Sequence, residues 1–208
     1  MNLRGKKILI TAGPTWVPID KVRVISNISS GYTGRLIAEE AAHKGARVTL
    51  VLGPSIAAPL NKVIRIIRFS FFSELKKLLK GELKRTRYDV IIHAAAVSDF
   101  MPECRIRNKL NSSNALLLKL VPLEKLVILI RRLAQRSVLV MFKLEPAAGD
   151  KSLIKKAKSA AGKAGADIIV ANRLKPYRAF IIDNENNRIL ASSKQDLARK
   201  LIKVLMKD

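Results

Sequence analysis

The sequence predicts an α/β fold, a three-layer sandwich in which a mainly parallel sheet lies between helices and ends in an antiparallel C-terminal hairpin. Two observations carry this. Short apolar runs, continuous rather than alternating, recur between helix-like stretches along the whole chain, the pattern of strands buried on both faces. The last two strand-like runs are instead separated by only three residues, too few for a helical crossover and suited to a hairpin. With 208 residues, 49% of them hydrophobic, the chain can bury a substantial core. No repeat or low-complexity linker divides it, so residues 1–208 are read as one domain.

In order, KILIT (7–11) is the first strand, followed after a long loop by a helix from about Thr33 to Lys44 and the strand RVTLVL (47–52). KVIRIIRF (62–69) leads into a helical FSELKKLLKGEL, then YDVIIHAAAV (88–97). LLLKLV (116–121) precedes a helix over 123–134 and the strand SVLVMF (137–142). A lysine-rich helix at 151–163 precedes ADIIVAN (166–172). RAFIID and NRILAS, separated by NEN, form the hairpin. Ser193 is placed to cap a last helix whose apolar side carries Leu197, Leu201 and Leu205. The succession is Rossmann-like.

Composition narrows the function classes. No apolar run reaches the roughly 18 residues of a membrane span. The longest candidate, Leu116 to Leu133, is interrupted by Lys119, Pro122, Glu124, Lys125, Arg131 and Arg132. The N-terminus enters a strand directly, without the pattern of a signal peptide. Cys104 is the single cysteine, which excludes an internal disulfide and leads us to expect a reducing cytoplasm. Forty Lys and Arg against sixteen acids give a net charge of +24, a field that attracts anions of any kind. The basic residues are scattered, aromatics are few and nucleic-acid motifs are missing, so a specific nucleic-acid partner is not expected.

Two connections exceed the usual βα loop of about 2–6 residues. One runs from Ala12 to roughly Tyr32 and the other from Ser98 to Ala115. Both follow strand C-termini, where open α/β sheets bind ligands. The first holds TAGPT (11–15) and SNISSGYTG (26–34). Its Gly13, Gly31 and Gly34 let backbone approach a ligand, and the following helix start offers N–H groups to an anion. The G-x-G-x-x-G dinucleotide fingerprint is missing, and no acid ends the second strand. An NAD(P)-dependent reductase of short-chain type is also disfavoured by the lack of a Tyr-x-x-x-Lys pair. Tyr32, Tyr88 and Tyr177 are followed four residues later by Leu36, Ile92 and Ile181. A nucleotide- or nucleic-acid-binding module without catalysis is the other alternative.

ILITAGPTWVPIDKVRVISNISSGYTG resembles the opening of phosphopantothenoylcysteine synthetases. The resemblance continues in order through HAAAVSDF (93–100), KLNSS (109–113), KLVP (119–122), FKLE (142–145) and DIIVAN (167–172). It implies a ligase that activates 4′-phosphopantothenate with CTP (or ATP) as an acyl-nucleotidylate, releasing pyrophosphate, with Mg2+ required. The amine of L-cysteine then displaces the nucleoside monophosphate to form the amide. By the same resemblance Asn27 holds the acyl-nucleotidylate, Arg23 contacts an anion and Lys109, on a mobile flap, stabilises charge at the α-phosphate. Retention of Asn27 and Lys109 together speaks against the non-catalytic module.

Asp99 corresponds to a nucleotide-contacting acid, and His93, Ala94 and Ala95 to backbone around the nucleotide, with His93 a buried group rather than a catalyst. Pro122, Leu123, Glu124, Lys125 and Phe142 correspond to segments lining the nucleotide, though Phe142 equally suits plain core packing. Lys163 fits one of two triphosphate lysines spaced four apart if the loop AGA carries an extra residue, and Lys158 fits loosely. The resemblance names no Mg2+ ligands here. It further implies a homodimer, with the C-terminal hairpin as a candidate interface, and a separate flavin-dependent decarboxylase as pathway partner. Trp16 and Val17 replace polar residues common in the family, and KLNSS with FKLE leaves CTP against ATP open.

Overall fold

The computed structural model describes residues 3–54, 61–104, 106, 108–111, 113, 115–146 and 148–206. Its main sheet has eight strands: β1 (Lys7–Ala12), β4 (Arg47–Leu52), β5 (Arg65–Arg68), β6 (Val90–His93), β9 (Val138–Leu144), β10 (Ile168–Leu174), β11 (Tyr177–Asp183) and β12 (Arg188–Ala191). Across the sheet the order is β12-β11-β10-β9-β6-β1-β4-β5. All neighbours from β5 to β10 pair in parallel, while β10–β11 and β11–β12 are antiparallel. The expected hairpin therefore closes one edge.

Alternate residues of each central strand enter different cores, which explains why the strands read as unbroken apolar runs. Ile8, Ile10, Leu50 and Ile92 pack under α1 (Tyr32–His43) and α5 (Lys194–Leu205). Leu9, Val51, Ile91 and Leu139 pack on the other face under α2 (Phe72–Arg85), α3 (Leu126–Leu133) and α4 (Asp150–Ala164). Burying a Leu or Ile side chain contributes roughly 1.5–3 kcal/mol, so these two clusters dominate the stability. The cap at Ser193 is present, its Oγ accepting from the Asp196 N–H at 3.0 Å. Among the described residues no helix is long and apolar enough to cross a membrane.

Each long loop contributes to a short ribbon, of which the sequence signalled only the end of LLLKLV. β2 (Trp16–Pro18) pairs with β3 (Val24–Ser26), and β7 (Phe100–Pro102) pairs with β8 (Leu120–Pro122). The expected strand LLLKLV thus does not join the main sheet. Leu117 is 97% exposed, so this apolar run serves no core, and only its end pairs, with β7.

Candidate active site

β1 and β6 are neighbours whose ends are level, with Thr11 opposite His93. From β1 the chain proceeds to β4 and β5 on one side, then returns through α2 to β6 on the other. Such a reversal opens a crevice at the strand C-termini, the topological switch point of α/β sheets. The two long loops are the ones that leave this point.

Hydrogen bonds continue between the loops beyond the sheet. Ala94 N–H donates to the Thr11 carbonyl (3.1 Å), Ala95 N–H to Thr11 Oγ1 (3.3 Å) and Ala96 N–H to the Gly13 carbonyl (2.9 Å). Thr15 N–H donates to the Ala96 carbonyl (3.3 Å), and Ser98 N–H to Thr15 Oγ1 (2.9 Å). Thr11, Thr15 and Ser98 are buried, so their hydroxyls satisfy backbone groups that would otherwise be stranded. His93 Nδ1 lies 2.8 Å from Thr11 Oγ1. Burial pushes the imidazole down to about 4, so it is neutral near pH 7. This agrees with a buried supporting role.

Asn27 reaches across from the other side. Its Nδ2 donates to the carbonyls of Val97 (2.9 Å) and Ala96 (3.4 Å), which fixes the amide orientation. Both donors are thereby used, and Oδ1 remains as an acceptor at the exposed end of the crevice. Next to it, α1 starts at Gly31, whose φ of 71° suits only a residue without a side chain. Gly34 sits so close to β1 that a Cβ there would collide with Ala12. Gly31 has no side chain to cap the helix and the first turn holds no acid, but Ser29 Oγ and Ser30 Oγ accept from the N–H groups of Gly31 and Tyr32, both at 3.4 Å. The positive dipole end of the helix, with no acid beside it, suits a nearby anion.

Asp99 ion-pairs with Lys125, and its carbonyl accepts from Leu123 N–H at 2.8 Å, so Pro122, Leu123, Glu124 and Lys125 are held beside the second loop. Glu124 in turn pairs with Lys76 of α2. Leu123 borders an apolar cavity of about 200 Å³ whose other walls include Trp16, Phe71, Phe72 and Met101. Trp16 stacks edge-on to Phe71, with ring centroids 6.0 Å apart, and Val17 is buried in the α2 core. The two departures from the family pattern are therefore packing residues of this apolar corner.

Phe142 lies one position beyond Met141, which faces His93 across the β6–β9 pair. That is the crevice end of β9, yet its side chain packs on the α1–α5 core. Arg23 donates Nη1 to Asp20 Oδ2 (2.7 Å) and to the Leu110 carbonyl (3.3 Å). Lys109, next to Leu110, is exposed and makes no ion pair among the described residues.

Lys163 requires a correction. α4 begins at Asp150, just past the C-terminal end of β9, and runs back along the sheet to Ala164. At about 1.5 Å per residue, Lys163 lies roughly 20 Å from the crevice end of the helix. It stands at the N-terminal ends of the strands, too far for a triphosphate contact. Lys151 and Lys155, also four apart, occupy the first turns at the correct end. The spacing was visible in the sequence, but the direction of the helix was not used. Thr11, at the end of β1, and Thr15, Ser98 and Asp20, in the loops, were also missed, since single short polar residues give no spacing signal.

Fold and site together define a Rossmann-like α/β protein with a crevice at the topological switch point between β1 and β6. The chain belongs to the family of the DNA/pantothenate metabolism flavoprotein C-terminal domain, whose model matches residues 3–207. It is 38% identical over 200 residues to the coenzyme A biosynthesis bifunctional protein CoaBC of Thermococcus kodakarensis, a match covering 96% of this chain and 48% of that protein. The crystal structure of the DNA/pantothenate metabolism flavoprotein from Streptococcus pneumoniae matches with a TM-score of 0.88 at 25% identity, covering 98% of this chain and 99% of that one. The C-terminal domain of a CoaBC protein gives 0.83 at 27% identity, covering 100% and 97%. The chain spans about half the length of the curated relatives it matches.

Proposed function

We propose that this domain joins 4′-phosphopantothenate to L-cysteine in coenzyme A biosynthesis, using CTP or ATP. The observation that carries the reading is the switch-point crevice, where the acid-free start of α1 follows closely in the chain on the carbonyl-anchored Asn27. Family membership supplies the chemistry.

In the first step a carboxylate oxygen of phosphopantothenate attacks the α-phosphorus and pyrophosphate leaves. In the second the cysteine amine attacks the acyl carbon and the nucleoside monophosphate leaves, taking the electron pair of the acyl–oxygen bond. The α1 N–H groups offset phosphate charge, and Asn27 Oδ1 accepts from an O–H or N–H of the bound acyl group. Lys109 supplies a cation for charge growing at the α-phosphate, and Lys151 with Lys155 replaces Lys163 as the source of triphosphate contacts from α4. Arg23 keeps donors beyond its two hydrogen bonds for an anion. His93, Ala94 and Ala95 shape the floor, and Asp99 with residues 122–125 borders the nucleoside.

Among the described residues no group of three or more His, Cys, Asp or Glu is arranged to hold a metal. Mg2+ would enter with the triphosphate, which suits an ion commonly held by substrate phosphates and one or two carboxylates, with Asp99 the acid at hand. The charge of +24 acts as a diffuse field that favours anionic substrates rather than as a surface that reads nucleic acid. We also propose a cytoplasmic location, a homodimer and a flavin-dependent decarboxylase acting on the product.

The test is pyrophosphate release with phosphopantothenate plus CTP or ATP, each component omitted in turn. Release that needs both phosphopantothenate and a triphosphate supports the reading. Release indifferent to phosphopantothenate contradicts it.

A further inference from the structure

The least expected contact near the crevice joins its two loops at a point no catalytic role requires. Asp20 has a side chain with 0% exposure, yet it carries a charge. Its Oδ1 accepts from the backbone N–H groups of Val22 and Arg23, both at 2.7 Å. Its Oδ2 accepts from Arg23 Nη1 at 2.7 Å and from the N–H of Leu110 at 3.0 Å. Four donors on one carboxylate offset the desolvation that burial imposes. The N–H of Leu110, then that of Val22, hold this carboxyl well below the usual carboxylate range.

Leu110 is gripped at both of its backbone groups. Its N–H goes to Asp20 and its carbonyl to Arg23, across a sequence separation of 87 to 90 residues. A third bond, Ile106 N–H to the Ile19 carbonyl at 3.3 Å, ties the same loop down four residues earlier. The turn between β2 and β3 is thus the seat on which the second loop rests. The residue adjoining the grip is Lys109.

We infer that Asp20 is a positioning residue: with Arg23 it clamps the backbone of Leu110 and so fixes where the Lys109 ammonium can act. This rests on the proposed role of Lys109. A side chain of four methylenes searches a wide volume, and anchoring its neighbour's backbone reduces the entropy lost when it meets the phosphate. Asp20 touches no substrate in this account; it acts through Lys109.

A double-mutant cycle tests this, using kcat and KM for pyrophosphate release by the whole chain. Lys109→Gln should slow turnover about a hundredfold. Asp20→Asn exchanges an acceptor for a donor and should lower kcat by about tenfold or more with little change in KM for the triphosphate. The double variant should be no slower than Lys109→Gln alone, because the clamp has nothing left to position. Amide exchange at residues 108–111 should rise in Asp20→Asn, a direct readout of the lost contact. If Asp20→Asn does not fold, Leu110→Pro removes the N–H from the loop side and leaves the acid in place. It should give the same kcat loss.

The outcomes separate cleanly. Lys109→Gln with wild-type turnover overturns the role of Lys109, and the inference with it. A slow Lys109→Gln with a normal Asp20→Asn, or with multiplicative losses in the double variant, overturns the clamp alone.

Discussion

At the scale of single residues, Asn27 makes contacts that a carboxylate could not. Its Nδ2 faces two backbone carbonyls, Val97 at 2.9 Å and Ala96 at 3.4 Å. Asn27→Asp would set a carboxylate against both oxygens and add negative charge beside the proposed acyl-nucleotidylate. Lost bonds of about 1.5–3 kcal/mol correspond to roughly a 10–100-fold slower amide formation. Product analysis in the presence of cysteine checks this, and an unchanged rate would remove Asn27 from the mechanism. His93 makes a prediction of another kind. Its folded-state pKa of about 4 lies below the usual 6.5, so protons bind preferentially to the unfolded chain. Its contribution to stability is complete above pH 6.5 and lost as pH falls toward 4, about 3 kcal/mol across that window. Denaturation of wild type and His93→Gln over this range should give a stability difference that shrinks toward acid. Parallel curves would mean that His93 titrates normally.

At the scale of elements, the close seat of α1 on β1 is the most exacting. Gly34→Ala places a methyl against Ala12, and an overpacked contact of this kind costs about 1–3 kcal/mol. A lower Tm and weaker triphosphate binding should appear together, since α1 carries the proposed anion site. A variant as stable as wild type would show that the helix has room to move. The parallel strands were legible in the sequence because burial on both faces leaves an unbroken apolar signature, as in Ile8, Leu9 and Ile10. The β2–β3 ribbon and β7 were not. Each strand has three residues and lies partly exposed, too short for period-two alternation to register. LLLKLV misled for the converse reason, being apolar without a core to enter. Lys163 failed because register counts residues but ignores which end of a helix faces the crevice. The crevice itself was legible, because two overlong loops after strand ends locate it without any motif.

At the scale of the whole molecule, exposed apolar side chains are scattered, with one group at and just before the β7–β8 ribbon and others on the C-terminal strands, where Leu174 and Leu190 are 49% and 44% exposed. Val22, Phe100, Leu117 and Leu120 are 66%, 49%, 97% and 42% exposed. Because Phe100 pairs its strand with the one that ends the Leu117–Leu120 run, we take the β7–β8 ribbon as a proposed face of the homodimer, with the C-terminal hairpin as its rival. Phe100→Asp should therefore convert the protein to a monomer in sedimentation while leaving its circular dichroism intact. A dimer that survives this change would move the interface elsewhere. The central claim is that the crevice between β1 and β6 activates a carboxylate before an amine arrives. Mass spectrometry of a single turnover without cysteine tests it most directly. The predicted species is phosphopantothenate joined to a nucleoside monophosphate with loss of water, formed with one pyrophosphate and converted to the amide when cysteine is added. Nucleoside diphosphate and phosphate as the products, or amide formed with no such species preceding it, would contradict the account.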